Sequence, residues 1–276
     1  MFCTMIALAA VGCGREDPAP SAEPGPALGP LSGEKAEPAA EAADAGALPV
    51  LEDVIERDPR YLVGISYPPG IMEYPGLAAE LDAYARAARA DLDEAVASLG
   101  QGRPTAPYDL ALNFDVLVET PQVVAVAADG SSYTGGAHGN PLVARFVWLP
   151  GQQRMLTAQE LIGDEDGWRA LSGYVREQLH ADLFERADAG DLEPGERSQL
   201  VRSGGQMIDE GSGPDPANFA HFEPVMGTGG RIQALRFVFP PYQVGPYSDG
   251  TQSVVVPAGV LAPHVAADYR GLFSGG

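Results

Sequence analysis

The sequence has few lysines, few cysteines and only a short hydrophobic run at its N-terminus. Of its 276 residues, one is lysine (Lys35) and two are cysteine (Cys3 and Cys13). It has 17 basic and 38 acidic residues, so the formal net charge is 17 − 38 = −21. This charge repels phosphate and argues against nucleic-acid binding. A bilayer span needs about 20 apolar residues, and the run at 5–11 is far too short.

The N-terminus predicts export and lipid anchoring. The apolar run Met5–Val11 is followed by Gly12 and Cys13, and Ala10-Val-Gly-Cys13 resembles a bacterial lipobox. In that pattern the cysteine receives the lipid, palmitate among its acyl chains, and becomes the first mature residue. We therefore interpret residues 1–13 as a lipoprotein signal segment. An ordinary signal peptide with an incidental cysteine is the alternative. Because Gly14 rather than Asp follows, the resemblance implies the outer membrane, on its periplasmic or surface side.

Residues 14–50 predict a disordered tether. Among these 37 residues are 10 Ala, 7 Pro and 5 Gly, and none is aromatic. Such a segment buries too little apolar surface to offset the entropy of ordering it. The mature chain would then have no free thiol, since Cys3 leaves with the signal and Cys13 is acylated.

The remaining residues predict an α+β fold. Apolar residues recur at helical spacing over 77–98 and from Trp168 to Leu183, and they alternate over 109–118 as in a strand. Thr157 and Glu160 form a capping box at the start of a short helix. Further strands are predicted at the positions that follow: 61–67, 122–127, 141–149, 219–226, 232–239 and 253–256. Adjacent strand pairs favour a mostly antiparallel sheet with helices on one face, as one body or two interlocked subdomains.

Local catalytic and metal-binding motifs are lacking. The four histidines, His138, His180, His221 and His264, are too far apart in sequence for an HExxH pair. There is no GxSxG segment for a nucleophile elbow. We expect no metal and no cofactor.

Two glycine- and proline-rich segments are the candidate ligand-binding elements. The first runs from Tyr133 to Asn140 and contains His138; the alternative is a tight crossing in which His138 only hydrogen-bonds the backbone. The second, Pro240–Gly250, presents Tyr242, Pro246 and Tyr247 in a rigid frame. The alternative there is that both rings cover a sheet edge.

The same segments carry a family resemblance. Tyr133-x-Gly-Gly-Ala-His-Gly, the Leu-Thr-Ala-Gln-Glu-Leu-Ile helix start and Phe239-x-x-Tyr-Gln-Val-Gly-Pro-Tyr247 together resemble the paired extracytoplasmic domains of RsiV-type anti-sigma factors. The first half is also similar to the N-terminal, non-catalytic domain of PdaC-type peptidoglycan deacetylases. The resemblance implies a PdaC-like domain over 51–150 and an RsiV-like domain over 151–276, both of unknown function here.

The resemblance also implies a function, since the RsiV-type region is a sensor that binds lysozyme. We expect a lipid-anchored, non-catalytic binding module of the cell envelope whose partner is a cationic muramidase or a cell-wall glycan. One alternative is an envelope hydrolase or deacetylase that uses His138. Another is a structural lipoprotein that assists envelope assembly.

Overall fold

Residues 50–274 are described by the structure, which is a computed structural model. The predicted signal segment 1–13 with Cys13, the predicted tether except Val50, and residues 275–276 lie outside the described residues. No helix within 50–274 combines the length and the apolar character that crossing a bilayer requires.

Six strands form the first sheet, and their order across the sheet follows their order in the sequence. They are β1 (Val54–Arg57), β2 (Tyr61–Ser66), β3 (Tyr108–Glu119), β4 (Val124–Tyr133), β5 (Asn140–Leu149) and β6 (Arg154–Met155). All neighbouring strands are antiparallel except β2 and β3, which are parallel. A parallel pair needs a crossover connection, and helix α1 (Pro75–Ser98) supplies it.

Helix α1 covers one face of this sheet. Pro75 occupies the first helical position, where its missing N–H removes no hydrogen bond. The apolar stripe of the helix, including Leu77, Leu81 and Leu92, is fully buried against Phe114 and its neighbours on the sheet. The apolar residues that recur at helical spacing in the sequence therefore form the buried face of α1.

Three strands form the second sheet, in the order β7 (Phe222–Met226), β8 (Ile232–Phe239) and β9 (Gln252–Pro257). The helices of this half are α2 (Ala158–Leu161), α3 (Glu165–Ala189), α4 (Pro194–Gly211) and α5 (Ala258–Leu261). Short 3-10 turns lie at Ile71–Glu73, Pro216–Phe219, Tyr247–Asp249 and Ala267–Leu272. Helix α3 packs on the second sheet through Leu171, Val175 and Leu179.

The two halves share a hydrophobic core. Val123, Ala125, Val147 and Leu149 project from the face of the first sheet opposite α1, and they belong to the same buried cluster as the second sheet. The first sheet is therefore covered by α1 on one face and, at β4 and β5, by the second half on the other.

These observations confirm the predicted α+β class and the mostly antiparallel sheet. The capping box is also present: the Thr157 hydroxyl accepts from the Glu160 N–H, and the Glu160 carboxylate accepts from the Thr157 N–H. One predicted limit is wrong, because strand β4 continues to Tyr133 instead of ending at Ala127. The segment 260–272, whose apolar residues predict a helix interrupted at Pro263, contains the end of α5 and the 3-10 turn Ala267–Leu272 on either side of that proline.

The contact between Gly76 and Trp148 yields a stability prediction. A Cβ added to Gly76 would lie 2.3 Å from Cη2 of the buried Trp148 ring, whereas one added to Gly173 of α3 meets nothing within 4 Å. We expect Gly76→Ala to lower the free energy of unfolding by about 1–3 kcal/mol through overpacking. Gly173→Ala should raise it by about 0.5–1 kcal/mol, because alanine loses less backbone entropy in a helix. Urea unfolding of both variants tests this; equal effects would contradict it.

Candidate functional site

The two candidate segments are loops that meet in space. The first joins β4 to β5 and lies between Tyr133, the last residue of β4, and Asn140, the first of β5. Gly135 and Gly136 have φ values of 106° and 99°, which non-glycine residues rarely adopt. The second loop follows β8 and contains the turn Tyr247–Asp249.

His138, Tyr242 and Tyr247 form an aromatic cluster where these loops meet. The Tyr242 Oη lies 2.8 Å from His138 Nε2. The rings of His138 and Tyr247 are stacked, with centroids 4.0 Å apart and planes 16° apart. The two tyrosine rings have centroids 5.7 Å apart. Each ring thus contacts both others, although 104 positions separate His138 from Tyr242.

The aromatic cluster is accessible from outside. His138 is exposed, Tyr242 has 54% of its surface exposed, and Tyr247 is half-buried. Pro246 is also exposed and precedes the Tyr247–Asp249 turn as its N-cap. Large exposed rings held in fixed positions are typical of surfaces that recognise a partner.

Tyr242 has a strained backbone. Its φ is +74°, in the left-handed region that bulky residues avoid. The loop is held by the Tyr242 N–H, which donates to the Gly245 carbonyl at 2.9 Å, and by the Gln243 side-chain amide, which donates to the carbonyls of Gly211 and Asn218. Such strain costs about 1–3 kcal/mol and clusters at functional sites. The positive φ of Tyr242 is therefore a further reason to expect a functional role for this residue.

The structure brings together four of the five predicted ligand-binding residues, which are Tyr133, His138, Tyr242, Pro246 and Tyr247. His138, Tyr242 and Tyr247 lie together, with Pro246 beside them. Tyr133 is not part of the aromatic cluster: its hydroxyl donates to the Gly136 carbonyl at 3.2 Å, within its own loop. That these residues bind a ligand stays a prediction.

Sequence reasoning missed an ion pair between the two sheets. Arg145 Nε on β5 donates to Glu223 Oε1 on β7 at 2.5 Å, and both side chains are more than 90% buried. The Arg145 guanidinium also contacts Asp129 at 3.0 Å, and Arg236 contacts the second oxygen of Glu223 at 3.0 Å. A charge inside an otherwise apolar strand, as in Leu142–Leu149 and Phe222–Met226, was the available signal.

His221 lies beside this ion pair. Burial lowers its pKa below the ordinary 6.5, the positive charge of Arg145 lowers it further, and the carboxylate of Asp129 partly opposes both effects. The His221 carbonyl accepts from the Val238 N–H at 2.8 Å, which ties it to β8. His221 is therefore favoured as neutral imidazole in the folded protein.

An acidic groove begins next to the aromatic cluster. It has a volume of about 560 Å³ and lies between α3 and the start of β9. Its lining includes Asp182, Glu185 and Asp249, with Arg186 3.5 Å from Asp249. Asp249 is two residues from Tyr247 in the same turn. Across residues 50–274, no three His, Cys, Asp or Glu side chains are grouped so that they could hold a metal ion.

Comparison with known proteins identifies one domain and the fold. Residues 164–259 match the family model "Protein of unknown function (DUF3298)". No curated protein matches the sequence. A solved DUF3298 family member from Bacteroides fragilis has a TM-score of 0.50 at 16% identity, covering 77% of this chain and 87% of its own. A DUF3298 family protein from Pseudomonas aeruginosa has a TM-score of 0.50 at 17% identity, covering 82% and 96%.

The matched region contains only part of the aromatic cluster. Tyr242 and Tyr247 lie within residues 164–259, whereas His138 precedes them. The chain therefore contains a DUF3298 domain, and the candidate site combines that domain with a loop from the first sheet. At these identities the structural similarity establishes the fold alone.

The lowered pKa of His221 makes stability depend on pH. Below pH 6.5 an unfolded chain protonates this histidine while the folded chain resists it, so the free energy of unfolding falls as pH decreases from 6.5 toward the lower folded pKa. We expect His221→Gln to weaken that dependence. Urea unfolding of both proteins across this range measures it. Carboxylates such as Asp209, with a lowered pKa, act at more acid pH. Identical pH profiles would contradict the prediction.

Proposed function

We propose that this chain, whose residues 164–259 form a DUF3298 domain, is a non-catalytic binding module of the cell envelope. The observation that carries the proposal is the meeting of three exposed or half-exposed rings, His138, Tyr242 and Tyr247, on two loops distant in sequence. In this proposal the aromatic cluster is the contact surface for the partner.

The geometry supports binding because the rings are already ordered. Interfaces concentrate their energy in a few aromatic or arginine anchors, and a side chain that is fixed before binding loses little entropy on association. His138 is held by a hydrogen bond and a ring stack, and Tyr242 by the same hydrogen bond and by a loop that Gln243 fastens to neighbouring carbonyls. These features make the aromatic cluster a preorganised anchor.

The charge distribution favours a basic protein as the partner. Residues 51–276 contain 15 basic and 31 acidic residues, a net charge of 15 − 31 = −16. The acidic groove begins at Asp249, two residues from Tyr247. Complementary charge accelerates association at low salt. Together with the resemblance to RsiV-type sensors, these observations favour a cationic muramidase over a neutral cell-wall glycan.

The contacts of His138 favour binding over catalysis by this residue. Its Nε2 contacts the Tyr242 hydroxyl and its Nδ1 lies 3.0 Å from the Gly139 carbonyl. A histidine that acts as a general base is usually oriented by a carboxylate and faces a nucleophile or a water. The partners of His138 give it the role of positioning Tyr242.

We further propose that Cys13 anchors the module to the outer membrane through attached acyl chains. The support is the lipobox resemblance at Ala10–Cys13. We expect the chain expressed in a Gram-negative host to incorporate labelled palmitate and to sediment with outer membranes. Cys13→Ser should abolish both, while Cys3→Ser, within the predicted signal, should change neither. Equal labelling of Cys13→Ser would contradict the anchor.

Replacement of Tyr247 tests the binding proposal. We expect the chain to bind purified cationic lysozyme and Tyr247→Ala to weaken binding by about 30-fold, equivalent to about 2 kcal/mol for an aromatic anchor. The control is Phe184→Ala on α3, whose ring is 46% exposed outside the aromatic cluster; it should bind like the unaltered chain. Calorimetric titration gives both affinities.

Salt dependence separates the two classes of partner. Binding that depends on opposite charges weakens as ionic strength rises. If lysozyme binds at neither low nor high salt while peptidoglycan fragments bind, the partner is the glycan and the muramidase version is wrong. If neither binds, the proposed function itself is wrong.

A further inference from the structure

The hydrogen bonds of His138 identify which of its ring nitrogens carries the proton. Nδ1 lies 3.0 Å from the carbonyl oxygen of Gly139. A backbone carbonyl has no proton to donate and can only accept. A hydrogen bond between these atoms therefore requires the hydrogen on Nδ1, and this assigns the tautomer from its partners.

The tautomer in turn orients the hydroxyl of Tyr242. In neutral imidazole with hydrogen on Nδ1, Nε2 carries a lone pair and can only accept. The Tyr242 Oη, 2.8 Å away, must therefore donate its proton to Nε2. The two hydrogen bonds therefore have the same direction: the Tyr242 hydroxyl donates to His138, and His138 donates to the Gly139 carbonyl.

This orientation decides what the hydroxyl can offer a ligand. A phenol has one proton, and that of Tyr242 is directed at His138, so its oxygen presents lone pairs to the outside. Tyr242 is 54% exposed, and the ring of Tyr247 lies beside it. A hydrogen-bond acceptor flanked by aromatic faces suits a planar cation that donates N–H groups.

We propose that the Tyr242 hydroxyl acts only as a hydrogen-bond acceptor toward a ligand and recognises an arginine side chain of the partner. This inference rests on the proposed function and specifies its chemistry: the guanidinium donates an N–H to Oη and packs against the tyrosine rings. Arginine fits better than lysine, because its planar head can stack and hydrogen-bond together.

The first test determines the tautomer in the full-length chain. Nitrogen-15 NMR of the histidine rings at alkaline pH, where imidazole is neutral, distinguishes a protonated ring nitrogen from a bare one. His138→Gln assigns the signals. We expect a protonated Nδ1 and a bare Nε2. A protonated Nε2 would overturn the inference, because Tyr242 would then accept from His138 and keep its own proton for the ligand.

The second test uses a blocked hexa-arginine peptide as the probe. We expect it to bind the full-length chain more tightly than blocked hexa-lysine, and Tyr242→Phe to weaken hexa-arginine binding by about tenfold. The matched control is Tyr74→Phe, which removes a hydroxyl that donates to Glu119 outside the aromatic cluster and should not change the affinity. Nuclear Overhauser contacts between His138 and Tyr247 should persist in Tyr242→Phe and show that the aromatic cluster keeps its shape.

The outcomes distinguish this inference from the function on which it rests. If Tyr247→Ala weakens lysozyme binding but Tyr242→Phe binds lysozyme and hexa-arginine like the unaltered chain, the proposed binding function is supported and the acceptor role of Tyr242 is wrong. If hexa-arginine does not bind, or binds no better than hexa-lysine, the arginine assignment is wrong. If lysozyme does not bind at all, the proposed partner is wrong, and the comparison of hexa-arginine with hexa-lysine alone decides the acceptor role of Tyr242.

Discussion

One buried ion pair, Arg145–Glu223, joins the two sheets that lead into the candidate site. Hydrophobic burial drives the two halves together, but this driving force is non-directional. Buried charges are less tolerant, because an unpaired charge away from water is costly. Arg145 and Glu223 are more than 90% buried and 2.5 Å apart, so sliding β5 along β7 would separate two buried opposite charges. We infer that this pair specifies the alignment of the halves more than it adds to their stability.

We infer that the geometry of the aromatic cluster depends on that alignment. Strand β5 leads back into the loop of His138, and β7 pairs with β8, which leads into the loop of Tyr242. A hydrogen bond of 2.8 Å and a ring stack of 4.0 Å tolerate little movement of either loop. The strained φ of Tyr242 is sustained by the hydrogen bonds of Gln243 to neighbouring carbonyls. The alignment of the sheets, the strain at Tyr242 and the geometry of the aromatic cluster are thus physically linked from the core to the surface.

The sequence predicted features that depend on local periodicity or local chemistry. The stripe on α1 and the Thr157 capping box are of this kind, and both are present. Strand β4 extends beyond its predicted end through Asp129 and Gly130, residue types that are common in turns. Gly130 is needed there because a Cβ would lie 2.1 Å from the Ala111 carbonyl oxygen. The candidate loops were found from composition, but their meeting joins His138 to a tyrosine 104 positions away. No local pattern encodes that distance, nor the 78 positions between Arg145 and Glu223.

The most direct measurement is a double-mutant cycle on Arg145 and Glu223, read by both stability and site geometry. We expect Arg145→Met alone to lower the free energy of unfolding by about 1–3 kcal/mol, because the buried Glu223 carboxylate then keeps only Arg236 as a partner, and adding Glu223→Leu to recover most of this loss. Arg236, whose side chain is 45% exposed, remains hydrated. The stable double variant should nevertheless lose the nuclear Overhauser contact between His138 and Tyr242. A double variant that keeps this contact at full intensity would contradict the claim that the ion pair positions the site.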